Sequence, residues 1–269
     1  NLEDFVKKEN FDAVIVGSDQ VWRKAYINDK HYKSYFLDFV ADSEIKKIAY
    51  AASFGKDYWE GKDDIDEISK LLADFTAVSI REKSGVAICK NSFGFDNAKH
   101  VLDPTMLMDK EFYINEIISK YDTSRVSKGG LLTYVLDEED EKREIIDFVK
   151  ENLQIDNIHH LKGFNSLKTT YSMPEWLASF LNADFVVTDS FHGACICVIF
   201  NKPFICAPRG SRGNSRFALF EQLGLKNRIM QREELNLDVI DEKIDWNEVN
   251  KRLEKMRENS LAWLSKAFD

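Results

Sequence analysis

The stretch VVTDSFHGACICVIFNKP, residues 186–203, places polar residues between a predicted strand and a predicted helix. Asp189, Ser190, His192 and Gly193 stand at this junction. Histidine titrates nearest to neutral pH, and a loop at the carboxyl end of a strand suits a general acid or base. The structural alternative places His192 in the first helical turn, with Asp189 or Ser190 as the N-cap. By residue type alone the structural alternative is favoured, because a lone histidine is more often structural than catalytic.

The segment that follows this junction is basic, although the chain as a whole is acidic. Residues 190–220 contain no Asp or Glu, whereas the chain average of 46 in 269 residues would place about five there. Within them, PRGSRGNSR carries Arg209, Arg212 and Arg216. Guanidinium groups suit carboxylates and phosphates, and Gly and Ser let backbone N–H groups approach an anion. Two interpretations stay open: a pocket for a small, highly charged anion, or a solvated loop that pairs with surface acids.

Residue spacing argues against two common types of site. The residues two positions either side of Ser190 are not the small ones that a nucleophile elbow requires, so a serine hydrolase does not fit. The five histidines show no HExxH motif or comparable zinc-ligand spacing, so no metal is expected. Cys195 and Cys197 would point to different faces of a helix, and we interpret them as core residues.

Polar residues also follow the first predicted strand, in the run FDAVIVGSD and directly after it. Ser18, Asp19, Gln20 and Trp22 could line a sugar site, with the indole ring as an aromatic platform. The alternative is that they cap a helix and pack against the core. Residue types alone favour this structural alternative.

Ser53 and Arg81 follow the next two predicted strands, which lie in KKIAYAASFG and TAVSIREKSG. In parallel α/β sheets ligands gather at the carboxyl ends of the strands, so both side chains are candidates for substrate contacts. Arg81 could bind an anion or pair with a nearby carboxylate.

These candidates need a scaffold in which strands alternate with helices. Strands are predicted in FDAVIVGSD, KKIAYAASFG, TAVSIREKSG, HVLDPTML, LLTYVLD, NIHHL, DFVVTD and PFICAP. Helices are predicted over residues 63–75, 138–152, 174–181, 192–200 and 245–268. The alternation indicates an α/β fold with two domains and mainly parallel sheets.

The length of 269 residues also fits two domains of about 100–200 residues each. The segment SRVSKGG, residues 124–130, is the predicted linker. We expect an N-terminal α/β domain over residues 1–125, a C-terminal α/β domain over 130–245, and a terminal helix over 246–269 that packs back across the domains. The net charge of −9 disfavours a nucleic-acid partner. No apolar run reaches the ~20 residues that cross a bilayer.

Six motifs, taken in order, resemble the polysaccharide pyruvyl transferase family. They are VIVGSDQVWR, IAYAASFG, AVSIREKSG, VLDPTML, VVTDSFHG with FNKPF, and NSRF with LGLKNRI. Each motif alone is weak, but six in order across residues 11–230 are specific. The resemblance implies a GT-B-like architecture of two facing Rossmann-like domains. Members have further sequence before the first motif, so we expect the N-terminal domain, the acceptor side, to be incomplete.

The resemblance also implies an activity. A pyruvyl group would pass from phosphoenolpyruvate to a hexose of a cell-surface polysaccharide or its precursor and form a pyruvate ketal. Phosphoenolpyruvate is then the donor substrate, no cofactor is implied, and the acceptor is a sugar or a lipid-linked saccharide. We expect a bacterial, cytoplasmic enzyme of exopolysaccharide synthesis, associated peripherally with its membrane-bound acceptor at the inner face.

The resemblance assigns roles to particular residues. The histidine of the family maps onto His192 as the acid or base, and we place Asp189 beside it as a catalytic residue. Arg81 maps onto an arginine that holds the donor anion from the first domain. Arg216, in NSRF, is a further donor contact, in the C-terminal domain that forms the donor side.

Further substrate contacts are expected from Ser190 and Gly193, and by charge alone from Arg209 and Arg212. Many relatives carry Arg two positions before the histidine, where this chain has Ser190. One donor contact is therefore missing or is supplied by Arg209 or Arg212. Two alternatives stay open: a GT-B glycosyltransferase that uses a nucleotide sugar, and a non-catalytic carbohydrate- or anion-binding relative.

Overall fold

The computed structural model of the protein describes residues 2–28, 30–40, 44–61, 63–137, 139–161, 170–208 and 214–269. The chain divides into two compact units. The first contains residues 1–107, 212–218 and 254–269, and the second contains residues 108–211 and 219–253. The first boundary thus follows Leu107, whereas the sequence places the linker at residues 124–130.

The first unit is built on a parallel sheet. Its strands are β1 (Ala13–Val16), β2 (Lys46–Ala52), β3 (Ala77–Ile80) and β4 (Lys99–His100). Among the described residues they pair in the order β1-β2-β3-β4. The helices are α1 (Leu2–Glu9), α2 (Ile65–Ala73) and α3 (Lys83–Phe93), with 3-10 turns at Lys24–Tyr26, Tyr32–Phe36, Pro104–Met106 and Asn214–Phe217. Because the strands are parallel, their carboxyl ends lie along one edge of the sheet.

Trp22 lies at the centre of the core of the first unit. It is fully buried, and its ring stacks on Phe36 with centroids 4.9 Å apart and contacts Phe54 at 5.3 Å. Its indole Nε1 donates a hydrogen bond to the carbonyl oxygen of Tyr35 at 2.7 Å. A buried aromatic ring contributes strongly to packing, so the connection from β1 to β2 is anchored in the core.

Gly17 directs the chain at the end of β1. Its φ is 127°, and a Cβ there would lie 2.0 Å from the carbonyl oxygen of Tyr50. Glycine alone tolerates this conformation and this approach. The turn therefore lies close against β2 and brings Ser18 and Asp19 to the edge where β2 and β3 also end.

The second unit has a parallel sheet with a different strand order. Its strands are β5 (Leu131–Tyr134), β6 (Ile158–His160), β7 (Phe185–Thr188) and β8 (Phe204–Cys206). Among the described residues the order is β6-β5-β7-β8. The α-helices are α4 (Lys110–Phe112), α5 (Asp140–Asn152), α6 (Met173–Asn182), α7 (Phe191–Ile199), α8 (Ala218–Gln222), α9 (Leu237–Asp241) and α10 (Trp246–Ala267). A π-helical turn covers Tyr113–Ile117, and 3-10 turns cover Ile118–Lys120, Lys226–Arg228 and Arg232–Glu234.

The strand β7 and the helix α7 form the most buried part of the second unit. Every residue of β7 is buried, and so is every residue of α7 except His192. A helix that is apolar on all sides belongs inside a protein. Cys195 and Cys197 are fully buried and are not disulfide-bonded, which agrees with their interpretation as core residues.

The residues of helix α10 are divided between the two units. The residues up to Leu253 belong to the second unit, and those from Glu254 onward belong to the first. In the first unit the backbone N–H of Leu102 donates to Ser260 Oγ at 3.0 Å, and the ring of Trp263 lies 6.0 Å from that of Tyr50. The end of α10 therefore completes the packing around β2 and β4.

The predicted α/β class is confirmed, since both sheets are parallel and strands alternate with helices along the chain. Two local predictions differ from the structure. The helix α3 is separated from the end of β3 by two residues and begins in a segment that the sequence assigns to the loop following a strand. The strand β4 is only two residues long, because Asp103-Pro104 begins a 3-10 turn. Among the described residues, no helix combines the length and apolarity needed to span a bilayer.

Candidate functional site

The loop between β7 and α7 is held by short-range hydrogen bonds. Ser190 is the N-cap of α7, and its hydroxyl oxygen accepts a hydrogen bond from the backbone N–H of Gly193 at 3.2 Å. Thr188 Oγ1 donates to the carbonyl oxygen of Tyr134 at 2.7 Å and accepts from the N–H of Ser190 at 3.1 Å. The loop is thereby tied to β5. His192 follows in the first turn of α7 and is half-buried, with its ring centroid 5.5 Å from that of Phe191.

Gly193 sets how closely α7 approaches the sheet. A Cβ at this position would lie 2.5 Å from Thr188 Oγ1 and 3.1 Å from the ring of Tyr134. A larger residue would therefore push the start of α7 outward. The close fit places the positive end of the helix dipole at the carboxyl end of β7.

The strand order of the second unit reverses at β5, next to this loop. The chain passes from β5 to β6 on one side and then crosses to β7 on the other side of β5. In open α/β sheets such a reversal leaves a crevice at the carboxyl ends of the two strands, where ligands bind. His192 therefore lies beside the position in this sheet that best suits a ligand.

Asp189 is buried in the same loop and makes contacts of its own. Its Oδ1 accepts a hydrogen bond from the N–H of Leu136 at 2.8 Å, and its Oδ2 accepts from the N–H of Asp137 at 3.1 Å. The ammonium group of Lys142 lies 2.7 Å from Oδ2. The catalytic role suggested by the sequence stays a prediction, while these contacts connect the carboxylate to the start of α5.

In the first unit, Arg81 joins residues that follow three different strands. It is buried, and its Nη1 donates to Asp103 Oδ2 at 2.8 Å while its Nη2 donates to Asp19 Oδ1 at 3.0 Å. Asp103 also accepts hydrogen bonds from the backbone N–H and the hydroxyl of Thr105. The Asp103 side chain is fully buried, whereas that of Asp19 is 61% exposed. The buried carboxylate of Asp103 therefore fixes the guanidinium of Arg81, which in turn holds the exposed carboxylate of Asp19 at the surface.

Glu82 lies next to Arg81 and is itself buried. Burial raises the pKa of Glu82 to about 7, although Arg81 and hydrogen bonds from Ser53 and from the N–H groups of Phe54 and Gly55 favour the charged form. The Nε of Arg81 lies 4.0 Å from Glu82 Oε2. Three carboxyl groups, those of Asp19, Glu82 and Asp103, thus surround one guanidinium at the carboxyl edge of the first sheet.

The other residues predicted near β1 and β2 have mainly structural contacts. Gln20 Oε1 accepts from Arg23 at 2.9 Å, and Ser53 Oγ accepts from the N–H of Gly55 at 3.0 Å. Ser18 is half-buried at the same edge. The prediction of Trp22 as a sugar platform is not supported, because its ring is enclosed by the core and has no exposed surface.

The predicted arginines of the basic segment are only partly described. Arg209 and Arg212 lie outside the described residues. Arg216 belongs to the first unit and is half-buried, with its guanidinium carbon 5.0 Å above the ring of Phe217. The described residues therefore include two predicted groups: Ser18, Asp19, Gln20, Ser53 and Arg81 in the first unit, and Asp189, Ser190, His192 and Gly193 in the second.

Three residues of these groups are missed by the sequence reasoning: Glu82, Asp103 and Lys142. Asp103 ends a predicted strand at the same edge as Arg81, so the sequence pattern could have predicted that it lies near Arg81. Glu82 is adjacent to Arg81, but its burial is not visible in the sequence. Lys142 is separated from Asp189 by 47 residues, and no local pattern links them.

The model of the family described as polysaccharide pyruvyl transferase matches residues 2–211. No curated protein matches the chain.

Solved structures resemble the chain in fold. UDP-N-acetylglucosamine 2-epimerase from Rickettsia bellii aligns with a TM-score of 0.54 at 13% identity, covering 100% of this chain and 77% of that one. The UDP-GlcNAc 2-epimerase of Methanocaldococcus jannaschii aligns with a TM-score of 0.47 at 14% identity, covering 95% and 71%. A glycotransferase of kitacinnamycin aligns with a TM-score of 0.33 at 14% identity over 53% of this chain, which spans 41% of that protein. At such identities the likeness to the Rickettsia bellii enzyme concerns only the fold, which is GT-B-like.

Proposed function

Because the chain belongs to the polysaccharide pyruvyl transferase family, we propose that it transfers a pyruvyl group from phosphoenolpyruvate to a hexose. Family membership makes it a transferase of polysaccharide biosynthesis, and the donor and the ketal product are parts of the proposal. One observation carries the assignment of the acid. His192 is the single residue of α7 that is not buried, and it follows β7, next to the reversal of strand order at β5.

The proposed reaction begins with a proton transfer from His192 to the methylene carbon of phosphoenolpyruvate. The π electrons form the new C–H bond, and C2 becomes an oxocarbenium-like centre. A sugar hydroxyl oxygen bonds to C2 and loses its proton. The bond from C2 to the phosphate oxygen then breaks with its electron pair on phosphate. A second hydroxyl adds to C2, loses its proton and closes the ketal. Of the two hydroxyl protons, one restores the proton that His192 gave to carbon, and the other ends on phosphate or solvent.

The donor is a dianionic or trianionic molecule, and we place it at the start of α7. The positive end of this helix and the backbone N–H groups of its first turn attract a phosphate or carboxylate. Arg209, Arg212 and Arg216 are proposed to supply side-chain charge, as the acid-free segment 190–220 suggests. Ser190, the helix cap, stands where many relatives carry an additional arginine.

The acceptor is assigned to the first unit, through Asp19. The carboxylates of Asp19, Glu82 and Asp103 already surround Arg81, which disfavours the binding of another anion there. We therefore depart from the role that the family resemblance implies for Arg81. In our proposal Arg81 orients the exposed carboxylate of Asp19, which accepts a hydrogen bond from a sugar hydroxyl.

Phosphate release from phosphoenolpyruvate tests this function, with nitrophenyl hexosides and lipid-linked hexosides as acceptors. The wild type is expected to release phosphate only with a suitable acceptor. His192→Ala should lower the rate by about 100-fold or more, as loss of a general acid does. His31→Ala changes an exposed histidine of the first unit and serves as the matched control, with no expected effect.

Two results would overturn the proposal. The first is phosphate release that is the same in His192→Ala and in the wild type. The second is thermal stabilisation by UDP-N-acetylglucosamine with none by phosphoenolpyruvate, which would indicate a nucleotide-sugar enzyme instead. Stabilisation by phosphoenolpyruvate without turnover of any acceptor would indicate a binding protein.

A further inference from the structure

A buried ion pair connects two loops of the second unit that meet at the crevice. The ammonium group of Lys142, in the first turn of α5, lies 2.7 Å from Asp189 Oδ2 in the loop after β7. The side chains are 4% and 3% exposed. Such a pair is costly to desolvate and stays charged only where hydrogen bonds satisfy both partners.

The hydrogen bonds of Asp189 satisfy this condition. Both oxygens accept backbone N–H groups of the loop that follows β5, from Leu136 and from Asp137. The carboxylate therefore acts as a bridge from the loop after β7 to the loop after β5. Three donors therefore occupy the two oxygens, and all three belong to the loop after β5 and to α5 rather than to His192.

The hydrogen-bonding capacity of Lys142 is used in a similar way. Its Nζ donates to the carbonyl oxygen of Asp137 at 2.8 Å and to Asp189, and it lies 3.5 Å from Glu139 Oε2. An ammonium group has three donors, and three oxygens surround this one. Lys142 also lines a cavity of about 250 Å³ at the ends of β5 and β6, but its donors are directed to protein oxygens rather than to a ligand.

We propose that Lys142 and Asp189 form a clamp that fixes the crevice between β5 and β7 and thereby positions His192. His192 follows Asp189 by three residues, across the cap of α7, so a shift of the loop after β7 moves its imidazole directly. Both clamp residues are positioning residues, and Asp189 is not the proton partner of His192. The consequence for turnover rests on the proposed function, whereas the geometry of the clamp does not.

The structural part is tested by removing one charge. Lys142→Met leaves Asp189 as a buried, uncompensated charge, and the thermal midpoint should fall by roughly 6–20 °C. Exchange of the Leu136 and Asp137 amide hydrogens should accelerate at least tenfold relative to other amides of β5 and α5. Lys142→Arg keeps the charge and should recover most of both losses. Lys150→Met, further along α5, is the matched control and should change neither.

A double variant separates positioning from charge balance. Lys142→Met combined with Asp189→Leu removes both charges, so most of the loss in thermal midpoint caused by Lys142→Met alone should be recovered. The Leu136 and Asp137 amides should still exchange quickly, because their acceptor is gone. In the phosphate-release assay both variants should lower kcat by about 10- to 100-fold while the KM for phosphoenolpyruvate changes less than about twofold. A double variant with wild-type kcat would overturn the clamp.

The imidazole of His192 provides a readout that does not depend on turnover. In the wild type its ring should give one set of NMR signals, and in Lys142→Met these should shift or split. Unchanged His192 signals together with unchanged amide exchange would refute the clamp. If the wild type releases no phosphate with any acceptor, the proposed function fails, and the exchange and NMR results still decide on the clamp.

Discussion

The half-buried His192 and the exposed Asp19 are each supported by buried charged groups. Asp19 is held by Arg81, which is fixed in turn by Asp103 beneath it. His192 follows a loop that is anchored by Asp189. Fixed partners of this kind reduce the side-chain freedom that a reacting group would lose on binding. In our proposals the buried charged groups of both units therefore act by positioning these two residues.

The role of Arg81 is tested by Asp19→Asn, which leaves the buried pair of Arg81 and Asp103 in place. We expect the KM for the acceptor to rise about tenfold, because a hydrogen bond to a charged group is lost. The KM for phosphoenolpyruvate should stay constant. Steady-state phosphate release, with each substrate varied in turn, gives both values. Asp38→Asn, an exposed carboxylate of the same unit, is the control.

The opposite outcome would restore the role that the family resemblance implies. If Arg81 binds the donor anion, Asp19 competes with that anion for the guanidinium. Asp19→Asn would then lower the KM for phosphoenolpyruvate and leave the acceptor KM unchanged.

Glu82 should make the stability of the first unit depend on pH. Its pKa is raised to about 7, so the folded protein keeps this proton between pH 4.5 and 7 while the unfolded chain has lost it. Stability from this group is therefore present at low pH and is lost as pH rises through 7. Relative to the wild type, the free energy of unfolding of Glu82→Gln should rise by about 1–3 kcal/mol across this pH interval. Urea unfolding at pH 5, 6, 7 and 8 measures the difference.

A difference that stays constant with pH would contradict this account of Glu82. Glu67→Gln, an exposed glutamate on α2 of the same unit, serves as the control. It separates the effect of the buried carboxyl from a general effect of removing one negative charge.

At the scale of elements, the start of α7 combines a structural and a chemical requirement. Ser190 accepts the N–H of Gly193 and so begins the helix, and we propose that the donor binds at this same helix start. An arginine at this position would add charge but could not cap the helix. This chain has the cap, and in our proposal other residues supply the charge.

Ser190→Ala should destabilise the second unit by about 0.5–2 kcal/mol, because the cap of α7 is lost. Ser190→Asp keeps a capping oxygen and adds negative charge, so stability should be retained while the KM for phosphoenolpyruvate rises severalfold. Thermal unfolding and phosphate release measure the two effects. Equal KM values in the wild type and Ser190→Asp would place the donor elsewhere.

The elements themselves were largely predictable from the sequence, and their long-range partners were not. Apolar runs closed by polar residues, such as the one that ends at Asp189, locate the strands because burial on both faces leaves a local pattern. The cap at Ser190 is also local. The contact between Lys142 and Asp189 is not local, because the two residues come together only through the order in which β5 and β7 pair in the sheet. The burial of Trp22 depends on Phe36 and Phe54, which the chain brings together only in the folded core.

At the scale of the whole molecule, each unit has its own hydrophobic core. The first unit is discontinuous, since it includes the end of α10 as well as the strands up to β4. Ser260, on that part of α10, accepts the N–H of Leu102 and donates to the carbonyl oxygen of Met256 at 2.8 Å. The stability of the first unit therefore depends on residues far away in the sequence.

Ser260→Ala should destabilise the first unit by about 1–3 kcal/mol, because the buried N–H of Leu102 loses its acceptor. Hydrogen exchange should accelerate at Leu102 and along β2 more than along β5 and β7. Ser265→Ala, an exposed serine on the same helix, is the matched control and should have little effect. Equal acceleration in both units would show that they open together.

The discontinuity of the first unit also sets an order of completion during synthesis. The strands of this unit leave the ribosome before those of the second unit, but the residues from Glu254 onward, which pack against β2 and β4, are translated after Leu253. The second unit ends at Leu253 and has all of its residues before then. The second unit is thus complete on the ribosome before the first. Until the residues of α10 from Glu254 onward are translated, part of the apolar surface of the first unit stays uncovered.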